Sequence, residues 1–176
     1  MEKRIFTKTG EEISLLGFGN MRLPVLEGDA AKIDYPAAQA LIDRALEAGL
    51  NYFDTAFDYH GGKSEAFLGQ ALARHPRERF YLATKMPPWR LKSARDLHTI
   101  FEKQLERLRV DYFDFYLLHN ISVEHLSIFE QFQTYEFLRE KQAQGKLRHL
   151  GFSFHDRPGL LRKVVEQHPW DFAQIQ

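Results

Sequence analysis

Short apolar runs alternate along the chain with longer stretches in which apolar residues recur every three or four positions. The runs read as strands and the periodic stretches as amphipathic helices. A first strand is predicted over residues 13–19 (ISLLGFG) and a helix over 36–48. Asp34 is placed to cap that helix, Pro36 sits in its first turn, Leu41, Ile42 and Ala45 share a face, and Gly49 ends it. The second strand is 51–55 (NYFDT), and Ser64 is placed to cap a second helix, EAFLGQALAR, with Phe67, Leu68 and Leu72 at helical spacing. A third strand, 80–85 (FYLATK), precedes a capping-box-like Ser93 and Asp96, after which Leu97, Ile100, Phe101, Gln104, Leu105 and Leu108 mark one helix face. A fourth strand is expected at 113–119 (FDFYLLH), a longer helix over 128–144 closed by Gly145, and a fifth strand at 147–153 (LRHLGFS). The fifth helix, 158–168, carries Leu160, Leu161, Val164 and Val165 at suitable spacing, and 171–176 (DFAQIQ) reads as a sixth strand. Ahead of them all, 4–13 reads as a small hairpin turning at Thr9-Gly10.

Six strands and five helices thus alternate at a spacing of roughly thirty residues, the size of a βαβ unit. The pattern implies a parallel sheet and leaves a (β/α) barrel and a doubly wound sheet both open. No linker or compositional break divides the chain, which reads as one domain. Its 176 residues, 44% hydrophobic and 27% charged, suffice for a real core. Lys+Arg and Asp+Glu both count 24, so no net charge attracts nucleic acid or an anionic membrane. Cysteine is absent, which removes disulfides, thiolate-bound zinc and a cysteine nucleophile from this chain and suits a reducing cytosol. The polar start MEKRIFTKTGEEIS lacks a signal-peptide core, and no apolar run approaches the ~20 residues of a membrane span. The expectation is a cytoplasmic domain with neither nucleic-acid nor membrane partners.

Chemistry collects at the C-terminal ends of the predicted strands, where both barrels and open α/β sheets place their sites. The second strand ends around Asp54, with Tyr59 in the loop beyond; the third ends in Lys85, the fourth in His119-Asn120, and the fifth in Ser153 and His155. Ionisable groups at the ends of apolar strands are costly unless paired. Singly, each has a structural reading: Asp54 as a chain cap, Tyr59 as a packing residue, Lys85 snorkelling to solvent, His119 as a hydrogen-bonded core histidine. Asp58 reads as a solvated loop acid, and His60, His75, His98, His125 and His168 as structural. Together the set describes a general acid. A tyrosine ordinarily titrates near ~10; a lysine ammonium beside a phenol favours the phenolate. A carboxylate can hold that lysine, and a histidine can hydrogen-bond a substrate oxygen. Reduction of a carbonyl by hydride fits such a set, with the hydride drawn from a cofactor. The sequence holds no Gly-x-Ser-x-Gly elbow, no P-loop and no early His-x-His, and GFGNMR is not a dinucleotide fingerprint.

The stretches LLGFGNMRLP (15–24), YFDTAFDYHGGKSE (52–65), FYLATKMP (80–87), VDYFDFYLLHN (110–120) and GKLRHLGFSFHD (145–156) resemble the aldo-keto reductases, in that family's order and over almost the whole chain. GNMRLP, DYHGGKSE and GFSFH are most similar to the branch whose full-length members often carry a C-terminal iron–sulfur domain. The resemblance implies a (β/α)8 barrel that reduces aldehydes or ketones with NADPH, NADH being possible, and no metal within this chain. It places the catalytic four on Asp54, Tyr59, Lys85 and His119, with Tyr59 as proton donor. It also places cofactor contacts on Gly19, Asn20, Met21, Asp54, Ser153 and Gln174, and a pocket wall on Trp89. Phe154 stands where the family usually has an asparagine.

A complete barrel typically needs ~250 residues. The chain is therefore expected to be the N-terminal part of such a barrel, to bind NADPH weakly when alone, and to expose its first and sixth strands as edges open to self-association. A non-catalytic binding or regulatory module of the same family is the competing expectation. A metal-dependent barrel hydrolase comes third, for want of a ligand cluster.

Overall fold

The alternation of apolar runs and periodic stretches becomes one curled parallel sheet covered by helices on its outer face. A computed structural model describes residues 1–8 and 10–175. In chain order the elements are β1 (Lys3–Ile5), β2 (Glu12–Ser14), β3 (Phe18–Gly19), α1 (Tyr35–Glu47), β4 (Tyr52–Asp54), the short turn α2 (Tyr59–Gly62), α3 (Ser64–Leu72), β5 (Tyr81–Met86), α4 (Ala94–Leu108), β6 (Phe113–Ile121), α5 (Val123–Gln131), α6 (Thr134–Ala143), β7 (Leu147–Phe154), α7 (Pro158–Gln167) and β8 (Phe172–Ile175). Strands β3 to β8 pair in sequential order, every pair parallel. A doubly wound sheet reverses its order at a switch point; sequential order is that of a (β/α) barrel.

The sheet also curls. The Phe115 ring on β6 lies 5.2 Å from Tyr52 on β4 and 5.1 Å from Phe172 on β8. Strands two apart in a flat sheet stand roughly 9.6 Å apart, so the inner face is concave. Residues alternate between two cores, as a pleated strand requires. Tyr52, Ala83, Phe115, Leu117 and Phe172 face inward and meet Phe6 and Ile13 of the N-terminal hairpin. Phe53, Leu82, Tyr116 and Phe152 face outward onto the helices, among Phe67, Phe101 and Leu138. The structure is therefore an incomplete (β/α)8 barrel, with β3 and β8 each paired on one side only among the described residues. No helix among the described residues is long and apolar enough to cross a membrane.

Capping matches the sequence where side chains are free to cap. Asp34 accepts from Ala37 N at 3.1 Å to start α1, Ser93 and Asp96 form the box that starts α4, and the six residues expected on one face of α4 are all buried. Several expectations fail for physical reasons. Residues 13–19 are not one strand: Ile13 and Ser14 pair with β1, and only Phe18 and Gly19 join the sheet. Ser14 N donates to Asn51 Oδ1 at 2.8 Å and Ser14 Oγ to the Leu16 carbonyl at 2.8 Å, which turns the chain out of the hairpin. The helix expected over 128–144 is two helices, parted by Gln133 in the left-handed region at φ 51°. Leu41 is 44% exposed; the buried face of α1 is Ala38, Ile42, Ala45 and Leu46. On α7 Val164 is buried and Leu160 and Leu161 pack half-buried against the core, but Val165 is exposed. Ser64 does not cap α3, because its hydroxyl is taken up by Thr55 Oγ1 at 2.9 Å and the Asn20 carbonyl at 3.1 Å. Thr9, at the expected hairpin turn, and Gln176, closing the expected sixth strand, lie outside the described residues.

Candidate active site

The inward face of the sheet changes character toward its C-terminal ends. Deeper positions hold Tyr52, Ala83, Phe115 and Phe172; the last inward positions hold Asp54, Lys85, His119 and Gln174. Register brings them together: Gly19 pairs with Asp54 and Ser153 with Gln174. Lys85 is the hub. Its Nζ lies 2.6 Å from Asp54 Oδ1, 2.7 Å from the Thr55 carbonyl and 3.4 Å from the Tyr59 hydroxyl. An ammonium has three N–H donors, and these three oxygens use them all. The side chain is almost wholly buried, so these three acceptors take the place of the water it gives up. Burial pushes the Asp54 carboxyl above its ordinary value, against the pull of Lys85 and Gln174. Asn20 Nδ2 donates to the Asp54 backbone carbonyl at 2.9 Å and fixes the end of β4.

Tyr59 is delivered by a turn that requires unusual backbone. His60, the next residue, sits in the left-handed region at φ 54°, where a residue with a Cβ is strained. Its imidazole is held on both sides: Nε2 accepts from Leu23 N at 3.1 Å and Nδ1 donates to the Ala30 carbonyl at 2.7 Å. His60 is structural, as the sequence suggested, and what it anchors is the Tyr59 turn. Behind Lys85, fully buried Glu65 accepts from Thr84 Oγ1 and Gln104 Nε2, each at 2.7 Å, and pairs with Arg107 at 3.1 Å. Gln104 Nε2 also lies 3.0 Å from the Lys85 carbonyl, bracing β5 from the helix side. Burial pushes the Glu65 carboxyl up against these bonds. One signal of this brace was present in the sequence, a glutamine on the apolar face of α4.

His119 packs between the rings of Tyr59, at 5.8 Å, and Trp89, at 5.0 Å. Burial, with Lys85, His155 and His125 adding and Asp58 opposing, lowers its pKa from 6.5 to about 3. The imidazole is therefore neutral and keeps one N–H to donate. The unfolded chain takes up this proton below 6.5 and the folded protein does not until about 3. The unfolded state then binds more protons, so stability present above pH 6.5 is lost as the pH falls toward 3. One proton sets a slope of at most about 1.4 kcal/mol per pH unit. Urea unfolding of the wild type and His119→Asn over that range is expected to give the variant the shallower acid slope. Equal slopes would contradict the buried neutral imidazole.

The other expected site residues divide. Gly19, Met21 and Gln174 line a cleft of about 590 Å³ between β3 and β8, with Arg22, Asp54 and Tyr59 at the same opening. A Cβ built on Gly19 meets nothing within 4 Å, so the backbone there is open to close approach by a ligand. Asn20 is fully buried beneath that rim. Ser153 is buried and accepts the Asn120 N–H at 2.7 Å, which leaves its own hydroxyl hydrogen free to donate. Phe154 turns outward into the helix-side core and offers no polar group. His155 is exposed. Trp89 forms a wall beside His119. Asp58 is not a solvated loop acid: its carboxylate accepts from Trp89 Nε1 at 2.6 Å and from Arg90 Nη2 at 2.7 Å. Asn20 Oδ1 and His119 Nδ1 are buried with no hydrogen-bond partner among the described residues. Buried polar atoms ordinarily have partners, so the strand ends retain unused capacity for a bound polar ligand. No group of residues suited to hold a metal ion occurs among the described residues.

The sequence and the fold have counterparts in known proteins. L-galactose dehydrogenase of Arabidopsis thaliana is 32% identical over 158 residues, covering 87% of this chain and 48% of its own. The NADH-specific methylglyoxal reductase of Escherichia coli is 31% identical, covering 100% of this chain and 59% of its own. The holo form of aldo-keto reductase AKR11C1 from Bacillus halodurans superposes with a TM-score of 0.77 at 28% identity, covering 100% of this chain and 57% of that one. The chain spans about half the length of the curated relatives it matches. The model of the Aldo/keto reductase family matches residues 15–176, and the chain belongs to that family.

Proposed function

We propose that this chain carries the carbonyl-reducing site of an oxidoreductase that uses a nicotinamide dinucleotide, NADPH or NADH, to reduce a small aldehyde or ketone. The observation that carries the reading is the buried contact of Lys85 Nζ with Asp54, at 2.6 Å, and with the Tyr59 hydroxyl, at 3.4 Å. The names of the methylglyoxal and L-galactose relatives support a small oxygenated substrate.

The bound nicotinamide would supply the hydride, which no side chain can. Gly19, Met21 and Gln174 at the cleft, with Asn20 and Ser153 beside them, are the residues to hold it. As hydride reaches the carbonyl carbon, the oxygen gains negative charge. Tyr59 gives its phenolic proton to that oxygen, and the Lys85 ammonium stabilises the phenolate left behind. Asp54 keeps the lysine charged and aimed, and neutral His119 offers an N–H to the same oxygen. Tyr59, His119 and Trp89 together wall the substrate. Solvent would then reprotonate Tyr59, so one carbonyl, one hydride from the cofactor and one proton yield one alcohol.

We further propose that the chain is the N-terminal part of its barrel. The single-sided pairing of β3 and β8 supports this, since open strand edges are a liability that complete barrels abolish. Titration with NADPH and with NADH tests both proposals. The chain alone is expected to bind weakly, and a polypeptide continued through two further βα units to bind tightly and turn over aldehydes. Tight stoichiometric binding by the chain alone would overturn the second proposal. A tightly binding barrel with no turnover would overturn the first, in favour of a binding module.

A further inference from the structure

A second carboxylate, Asp58, stands immediately before Tyr59 and has no part in the chemistry above. We propose that Asp58 is a positioning residue that fixes the substrate wall by holding the Trp89 indole against His119; this rests on the carbonyl-reducing reading of the site. Asp58 Oδ2 accepts the Trp89 Nε1–H at 2.6 Å. Arg90 forks onto the same carboxylate, Nη2 at 2.7 Å from Oδ1 and Nε at 3.2 Å from both oxygens. Burial alone would raise the Asp58 carboxyl, but the bonds from Arg90 and Trp89 prevail and hold it below its ordinary range. It is thus an ionised acceptor for both neighbours at neutral pH.

The consequence falls on His119. Its Nδ1 has no hydrogen-bond partner among the described residues, so ring packing sets its orientation. Tyr59 supplies one side and Trp89 the other. Trp89 is 42% exposed and sits in a single 3-10 turn, Pro88–Arg90. The prolines stiffen that backbone without fixing the indole. Trp89 also lies 5.6 Å from the His125 ring, which is itself held by Nδ1 donating to the Asn120 carbonyl at 2.6 Å. One carboxylate therefore ties the loop after β4 to the loop after β5, and through the indole to the end of β6.

The test labels the protein with 5-fluorotryptophan. The sequence has two tryptophans, and Trp89→Phe assigns the pair of fluorine resonances. In Asp58→Ala the Trp89 resonance is expected to shift and narrow while that of Trp170 stays. In Asp58→Asn, whose amide oxygen still accepts the indole N–H, the Trp89 resonance is expected to remain near its original position. In kinetics, Asp58→Ala is expected to raise KM for benzaldehyde about 10-fold and to leave KM for acetaldehyde, too small to span to the wall, within about twofold, while the loosened His119 lowers kcat for both by less than about threefold. A merely structural role would move both resonances and both aldehydes alike, and that result overturns the proposal. So does an unmoved Trp89 resonance in Asp58→Ala. A wild-type barrel continued through the two further βα units that reduces neither aldehyde overturns the reading of the site and the wall with it, while the fluorine spectra still decide whether Asp58 holds Trp89.

Discussion

Tyr59→Phe is expected to lower the rate of carbonyl reduction by about 10²–10⁴-fold, the usual contribution of a positioned general acid. The substitution removes one oxygen and keeps the ring, so the packing against His119 at 5.8 Å survives. Unfolding free energy should change by no more than about 1 kcal/mol, the net worth of one hydrogen bond. Steady-state rates with the cofactor and an aldehyde, beside a urea unfolding curve, separate the two effects. A full loss of rate with unchanged stability is the expected pattern. Equal rates in wild type and variant would remove Tyr59 from the chemistry.

Asp54→Ala is expected to act chiefly on the fold. Lys85 would keep the Thr55 carbonyl and the Tyr59 hydroxyl, at 2.7 and 3.4 Å, and lose the carboxylate at 2.6 Å. Breaking a buried pair from one side costs about 3–5 kcal/mol, a large part of the roughly 5–15 kcal/mol that holds a domain together. Replacing both partners with apolar residues of similar volume, as in Asp54→Leu with Lys85→Met, should recover much of that loss while leaving the protein inactive. Urea midpoints of the single and double variants decide the matter. A single variant that loses less than about 1 kcal/mol would mean that the pair is not desolvated as the geometry indicates.

The sequence was most legible where one residue's role is set by its own strand. Asp54, Lys85 and His119 end apolar runs, and the sheet's order and pleat carry all three to one face. Tyr59 was legible only through its company, since nothing local separates it from a packing tyrosine. Long periodic helices such as α4 were legible because six apolar-face positions agree. Short-range polar competition was not. Ser14 and Asn51 break a run that looked continuous, Gln133 adopts a left-handed conformation inside what read as one helix, and Ser64 leaves its cap for Thr55 and Asn20. Asp58 was misread for the same reason: its partners Trp89 and Arg90 are about thirty residues away, and only the fold brings them near. The choice between a barrel and a doubly wound sheet rested on strand order, which alternation alone leaves open.

The central claim is that this site delivers hydride to a carbonyl carbon while Tyr59 protonates its oxygen. The most direct measurement uses NADPH or NADH carrying deuterium at the transferable position, with methylglyoxal or benzaldehyde as acceptor and mass spectrometry of the alcohol. The expected result is one deuterium on the carbinol carbon for each cofactor oxidised, lost in step with activity in Tyr59→Phe. Cofactor oxidation without labelled alcohol, or no oxidation by the complete protein, would contradict the account.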